Sequence, residues 1–170
     1  MKARPRYAEN QTVSELNKFF TTLGLDPVER LPITGRTGPD LGWNDFKLIC
    51  DCKSRLEIPK GNVGLEVPTY FGPDMLGIPL TRLSDVGSTI AFVKPSKTVR
   101  AYLDHMELWT RAHVRDGISA IFLHRPKVPY GKATLLIYST DIRRFNERIS
   151  KYSDLQLIDQ SVLELTPERA

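Results

Sequence analysis

The stretch Gly38-Pro39-Asp40-Leu41-Gly42-Trp43-Asn44-Asp45-Phe46-Lys47-Leu48-Ile49-Cys50-Asp51-Cys52-Lys53 decides how this chain is read. A Gly-Pro-Asp turn leads into an apolar run, Phe46 to Lys53, whose alternation predicts a strand. Phe46, Leu48, Cys50 and Cys52 share one face of it, and Lys47, Ile49, Asp51 and Lys53 share the other. If the chain reverses between Asp40 and Phe46, Asp40 returns beside Asp51. Two carboxylates a few ångströms apart repel each other, and a hard divalent cation with oxygen ligands resolves the repulsion. Mg²⁺ keeps several waters and lowers the pKa of one held near a substrate. Lys53 can then orient that water or offset negative charge as a phosphorus becomes pentacoordinate. Plainer readings stand beside these. Asp40 after Pro also suits a simple turn, and Asp51 with Lys53 also makes a structural ion pair.

Outward from this stretch, the pattern alternates helices and strands. A first helix is expected from Thr12, where Thr-Val-Ser-Glu matches a capping box, to Gly24, with Val13, Leu16, Phe20 and Leu23 at helical spacing. Val28 to Ile33 reads as a Pro-interrupted edge strand. Within residues 54–95, the stretch Pro59–Pro79 is dense in Pro and Gly and reads as an irregular excursion, followed by a short helix near Leu80–Val86 and a strand at Thr89–Val93. Ser96 opens a long helix to about Val114, with Val99, Leu103, Met106 and the Leu108/Trp109 pair on its apolar face. Ile118 to His124 and Ala133 to Ser139 are two further strands, joined by a turn at residues 129–132. A last clear helix runs from Thr140 to Ser150, with Ile142, Phe145 and Ile149 inward and Arg143, Arg144 and Arg148 outward. Leu155, Leu157, Val162 and Leu165 make the tail an added strand or a packing arm.

A length of 170 residues with 41% hydrophobic and 26% charged content suits one domain with its own core. The expected division is a single domain over 1–170, with a core at about 9–150, an irregular insertion at about 61–94 and a tail at 152–170. No apolar run approaches a membrane span, and MKARPRYAENQ carries no apolar export signal, so a cytoplasmic protein is expected. Cys50 and Cys52 are awkwardly placed for a mutual disulfide, and His105, His113 and His124 offer no paired zinc spacing, so both thiols read as small buried hydrophobes. The net charge of +4 is unevenly spread: residues 94–151 hold twelve Lys/Arg against five Asp/Glu. Such a block suits a polyanion and equally a solvated surface.

Pro39-Asp40, ten intervening residues and Asp51-Cys52-Lys53 together resemble the motif of the PD-(D/E)xK nuclease superfamily. The likeness spans roughly residues 9–140. The continuation Lys53-Ser54-Arg55 with Ile58-Pro59-Lys60, and the later strand ending in His124-Arg125, resemble phage and archaeal Holliday-junction-resolvase-like members. The resemblance implies an α/β fold, a restriction-endonuclease-like core with a central mixed β-sheet flanked by helices. It implies a Mg²⁺-dependent endodeoxyribonuclease, with Mn²⁺ as a substitute. Asp40 and Asp51 would hold the cation with the Cys52 backbone carbonyl, and Lys53 would serve the attacking water or the transition state. Glu15 stands where relatives carry an acidic helix residue, although it fits the capping box equally, and Glu9 is a weaker substitute. Arg55, Lys60, Arg125 and Lys127 are candidates for gripping DNA phosphates. Some relatives place a Gln on the long helix; this chain has Arg111 and His113 there instead. The expected partners are branched DNA and a second copy of the chain, with the apolar side chains of 61–94 at the subunit contact. The alternatives are a restriction or DNA-repair nuclease of the same fold, and a non-catalytic nucleic-acid-binding protein. A carboxylate pair has no use in the last of these.

Overall fold

The structure, a computed structural model, describes residues 5–31, 38–54, 75–79, 91–93, 97–124, 134–154, 156, 158 and 160–165. These form α1 (Pro5–Thr22), β1 (Leu48–Ser54), β2 (Met75–Pro79), β3 (Ala91–Val93), α2 (Lys97–His113), β4 (Ile118–His124), β5 (Thr134–Tyr138), a 3₁₀ turn (Ser139–Asp141), α3 (Ile142–Tyr152) and α4 (Gln160–Leu165). The strands make one mixed sheet in the order β1-β4-β5-β2-β3. β1 and β4 run parallel, with Asp51 opposite Ile121 and Ser54 opposite His124. The pairs β4–β5, β5–β2 and β2–β3 are antiparallel. The expected α/β architecture, a mixed sheet flanked by helices, is therefore present.

Side-chain alternation divides the core into two layers. On one face Leu48 and Cys50 of β1, Ile118, Ala120 and Phe122 of β4, and Leu135 and Ile137 of β5 pack under Leu16, Phe19 and Phe20 of α1 and Ile142, Phe145 and Ile149 of α3. On the other, Ile49, Ile121, Leu123, Leu136 and Tyr138 meet Val99, Leu103 and Met106 of α2. β4 is thus buried on both sides, which is why Ile118 to His124 reads as an apolar run rather than an alternating one.

Three expectations are corrected. The first helix begins at Pro5, a favourable first helical residue, and Thr12 is a buried mid-helix residue rather than its cap. Gly24, at φ 72°, does end it. Met75–Pro79, inside the stretch expected to be irregular, is a sheet strand that lies between β5 and β3, whereas β3 at Ala91–Val93 falls where a strand is expected. Arg144 and Arg148 do not point simply outward. Arg148 donates to the carbonyls of Phe46 (2.8 Å), Lys47 and Asp116, and Arg144 donates to that of Asp116 at 3.0 Å. Lys47 and Asp116, just before β1 and β4, have φ 57° and 62°, so the two arginines anchor the carbonyls of two left-handed turns. Gly117, next to the second turn, admits no side chain: a Cβ there would lie 2.6 Å from Thr110 Cγ2. The expected helix Leu80–Val86, the turn at 129–132 and the tail residues Leu155 and Leu157 fall outside the described residues.

Candidate metal centre

β1 forms one edge of the sheet, and the segment carrying Asp40 lies along it. Asp40 N donates to Cys50 O at 3.0 Å, while Asp40 O accepts from Leu31 N at 2.8 Å. An antiparallel bridge joins Arg30 to Leu41, and Gly42 N donates to Glu29 O at 2.7 Å. Asp40 is therefore fixed from both sides by backbone hydrogen bonds, between residues 29–31 and β1. Pro39 and Leu41 on either side of it are buried.

This places the carboxylate where the sequence expects it. Asp40 Oδ2 accepts from the Cys52 amide at 2.8 Å, and the same amide lies 3.2 Å from Asp51 Oδ1. The two carboxyl groups thus converge on one amide, close enough for each to feel the other's charge. Burial and the neighbouring Asp51 carboxyl push Asp40 up to about 7, against the opposing pull of the Cys52 amide and the Lys53 charge. Lys53 Nζ sits 3.4 Å from Asp51 Oδ2 and 4.6 Å from the centroid of the Tyr102 ring on α2. The ammonium is thus held from two directions, by a carboxylate and by an aromatic face.

A divalent cation would find a suitable donor set here. Two carboxylates supply hard oxygen, and the cation would offset the repulsion between them. A strand residue directs its amide and carbonyl to the same edge, so the Cys52 carbonyl faces the side on which its amide meets Asp40. Among the described residues no third His, Cys, Asp or Glu side chain completes a metal-binding group. Carboxylate and backbone carbonyl oxygens are the hard donors that Mg²⁺ takes. Cys52 contributes backbone alone. Its side chain packs against the α1 layer and its thiol hydrogen-bonds Thr12; burial, reinforced by the Asp40 charge, pushes that thiol up. Cys50 is fully buried and is likewise pushed up by burial.

The remaining expected residues fall in different places. Glu15 forms an ion pair with Lys18 at 3.0 Å on the flank of α1, and the structure does not bring it to the carboxyl pair. Glu9, ranked lower from the sequence, precedes Thr12 by one turn and pairs at 3.5 Å with Arg30, on the segment that braces Asp40. Arg55, Lys60, Arg125 and Lys127 lie outside the described residues. β1 and β4 end side by side at Ser54 and His124, with Lys53 one residue from that end and Asp51 at mid-strand.

Tyr102 was not singled out from the sequence. In a helix read only for its apolar periodicity, a half-buried Tyr beside Leu103 looks like packing, and its contact with Lys53 is long-range. No protein-family model, curated protein or solved structure matches the chain. Among the described residues no helix is long and apolar enough to cross a membrane.

Proposed function

We propose that this chain is a divalent-cation-dependent endodeoxyribonuclease of the PD-(D/E)xK type, acting on branched DNA as a homodimer. One observation carries the reading: Asp40 and Asp51 both bring a carboxylate oxygen to the Cys52 amide, at 2.8 and 3.2 Å, with Lys53 Nζ 3.4 Å from Asp51. A fold gains little by burying two acidic groups against each other, so the pair is better explained by a use than by stability.

In this reading Asp40 and Asp51 hold the cation together with the Cys52 carbonyl. When bound, Mg²⁺ supplies charge neutralisation and a lower pKa for water at neutral pH. Lys53, steadied by Tyr102, offsets negative charge on the scissile phosphate or orients the attacking water. The hydrogen bonds that fix Asp40 on both sides keep the carboxylate in place before substrate arrives. The resolvase-like branch implies two symmetric cuts. One site per chain then calls for two chains related by a twofold axis.

The test is a panel of duplex, flap and four-way-junction DNAs incubated with Mg²⁺ or with chelator. Cleavage of the branched substrates in Mg²⁺ alone supports the proposal. The absence of any Mg²⁺-dependent cutting removes it.

A further inference from the structure

The chain has two tryptophans. Both stand in one surface cluster beside the carboxyl pair. Trp43 is 41% exposed, and its ring meets that of Trp109 edge-to-face at 5.8 Å. Trp109 in turn stacks on His113 at 4.3 Å, with the rings 14° from parallel. His113 Nδ1 lies 2.8 Å from Trp109 O, which holds the imidazole against the indole. The Trp109 indole also packs on Gly38, where a Cβ would lie 3.6 Å from its Nε1. The cluster therefore braces the loop that delivers Asp40.

Two independent routes set its distance from the site. Trp43 follows Asp40 by three residues, so their Cα atoms are at most about 11 Å apart. Trp109 follows Tyr102 by seven residues on α2, about two turns or 10 Å along the helix. Tyr102 carries the Lys53 ammonium. The aromatic surface thus begins within a few nucleotides of a phosphate bound at the carboxyl pair. An indole this exposed forgoes apolar burial. In an edge-to-face pair each ring keeps at least one face clear of the other, and because His113 covers a face of Trp109, the exposed Trp43 ring is the one left to receive a partner.

We infer that the Trp43–Trp109–His113 cluster is a stacking platform for an unpaired nucleobase within a few nucleotides of the cleaved phosphate. The inference rests on the nuclease reading for its position, and it narrows the substrate class to DNA with single-stranded or splayed bases. Fully paired duplex has no free base face to offer. The occupant is a base rather than a protein side chain because flat faces beside a phosphate-handling site suit a nucleotide near that phosphate. Stacking on aromatics is tolerant of sequence, and α2 belongs to the basic half of the chain.

The two tryptophans make the test direct, because fluorescence excited selectively at tryptophan reports this cluster. The wild-type protein is titrated in chelator, so that no DNA is cut, with oligothymidylate, with a flap DNA and with blunt duplex. Oligothymidylate and flap are expected to quench the emission, and duplex is not. Trp43→Leu should weaken binding of the single-stranded and flap DNAs roughly tenfold, the scale of one base–aromatic stack, and leave duplex binding within about twofold. Trp43→Phe, which keeps a ring, should restore most of the loss; this separates stacking from misfolding. Equal quenching by duplex, or unchanged affinity in Trp43→Leu, overturns the inference. So does a change in sedimentation mass in Trp43→Leu with DNA affinity intact, since the cluster would then be a subunit contact. Quenching with no cleavage of any substrate would leave the platform standing and remove the nuclease reading. Cleavage without quenching would do the reverse.

Discussion

Replacing Asp40 with Asn should make the cation-free protein more stable as the pH rises, even as it disables the site. In the folded chain Asp40 keeps its proton up to about pH 7, because it is half-buried and faces the Asp51 carboxyl; the ordinary value is 3.8. Between these two pH values the native state binds more protons than the unfolded chain, so stability falls as pH rises through the window and levels off above it. Asn has no such titration and still offers an oxygen to the Cys52 amide, which bonds Asp40 Oδ2 at 2.8 Å. A shift of about three pKa units sets a ceiling of ~4 kcal/mol. Solvent screening of a half-buried group reduces the expected gain to about 1–2 kcal/mol. For a chain of this length that is a rise in melting temperature of about 3–6 °C at pH 8. At pH 4 the two proteins should melt nearly together. The assay is thermal unfolding in chelator from pH 4 to 8. Adding Mg²⁺ at a hundredfold excess over its dissociation constant should then stabilise the wild type by about 2.7 kcal/mol and the variant by much less. An Asp40→Asn protein no more stable than wild type at pH 8, or a gap that does not widen with pH, would refute the reasoning.

Tyr102→Leu should slow cleavage by about three- to thirtyfold, the range of a partly desolvated cation–π contact, while leaving DNA affinity unchanged. Tyr102→Phe keeps the ring and should restore the rate, and a failure to do so would assign the effect to the hydroxyl instead of the ring face. Arg148→Met should lower stability by about 1–3 kcal/mol in urea titration, because the carbonyls of Phe46 and Lys47 lose their donor. Gly117→Ala should cost about 1–3 kcal/mol through overpacking, given the 2.6 Å approach to Thr110; an unchanged denaturation midpoint would contradict that geometry. Sedimentation at micromolar concentration should give twice the 19.3 kDa chain mass, and a monomer both free and on junction DNA would remove the dimer.

What the sequence discloses and what it hides follow from range. The faces of β1 were legible, because Leu48, Cys50 and Cys52 against Ile49, Asp51 and Lys53 is a period-two pattern and needs no tertiary information. The return of Asp40 to Asp51 was legible for the same reason: a Gly-Pro turn and a short connection leave little else within reach. The helix start was misread because Thr12 and Glu15 copy a capping box. Thr12 is instead buried in mid-helix against Cys52, a contact between segments forty residues apart. β2 was hidden by Gly77 and Pro79, which locally argue against a strand, while its partners β5 and β3 lie elsewhere in the chain. Arg144 and Arg148 looked solvated because nothing near them in sequence shows the carbonyls they anchor. Tyr102, Trp43 and Trp109 are distinguished only by what the fold brings to them.

The central claim is that the Asp40/Asp51 pair performs metal-dependent chemistry, and a comparison of wild type with Asp51→Asn on end-labelled four-way-junction DNA in Mg²⁺ tests it most directly. Loss of a metal ligand should lower the cleavage rate by about a thousandfold or more, several kcal/mol of transition-state stabilisation. DNA binding, measured by gel shift on the same samples, should persist and weaken with salt. A variant that binds and does not cut is the predicted result; an Asp51→Asn protein that cuts the junction at the wild-type rate would contradict the account.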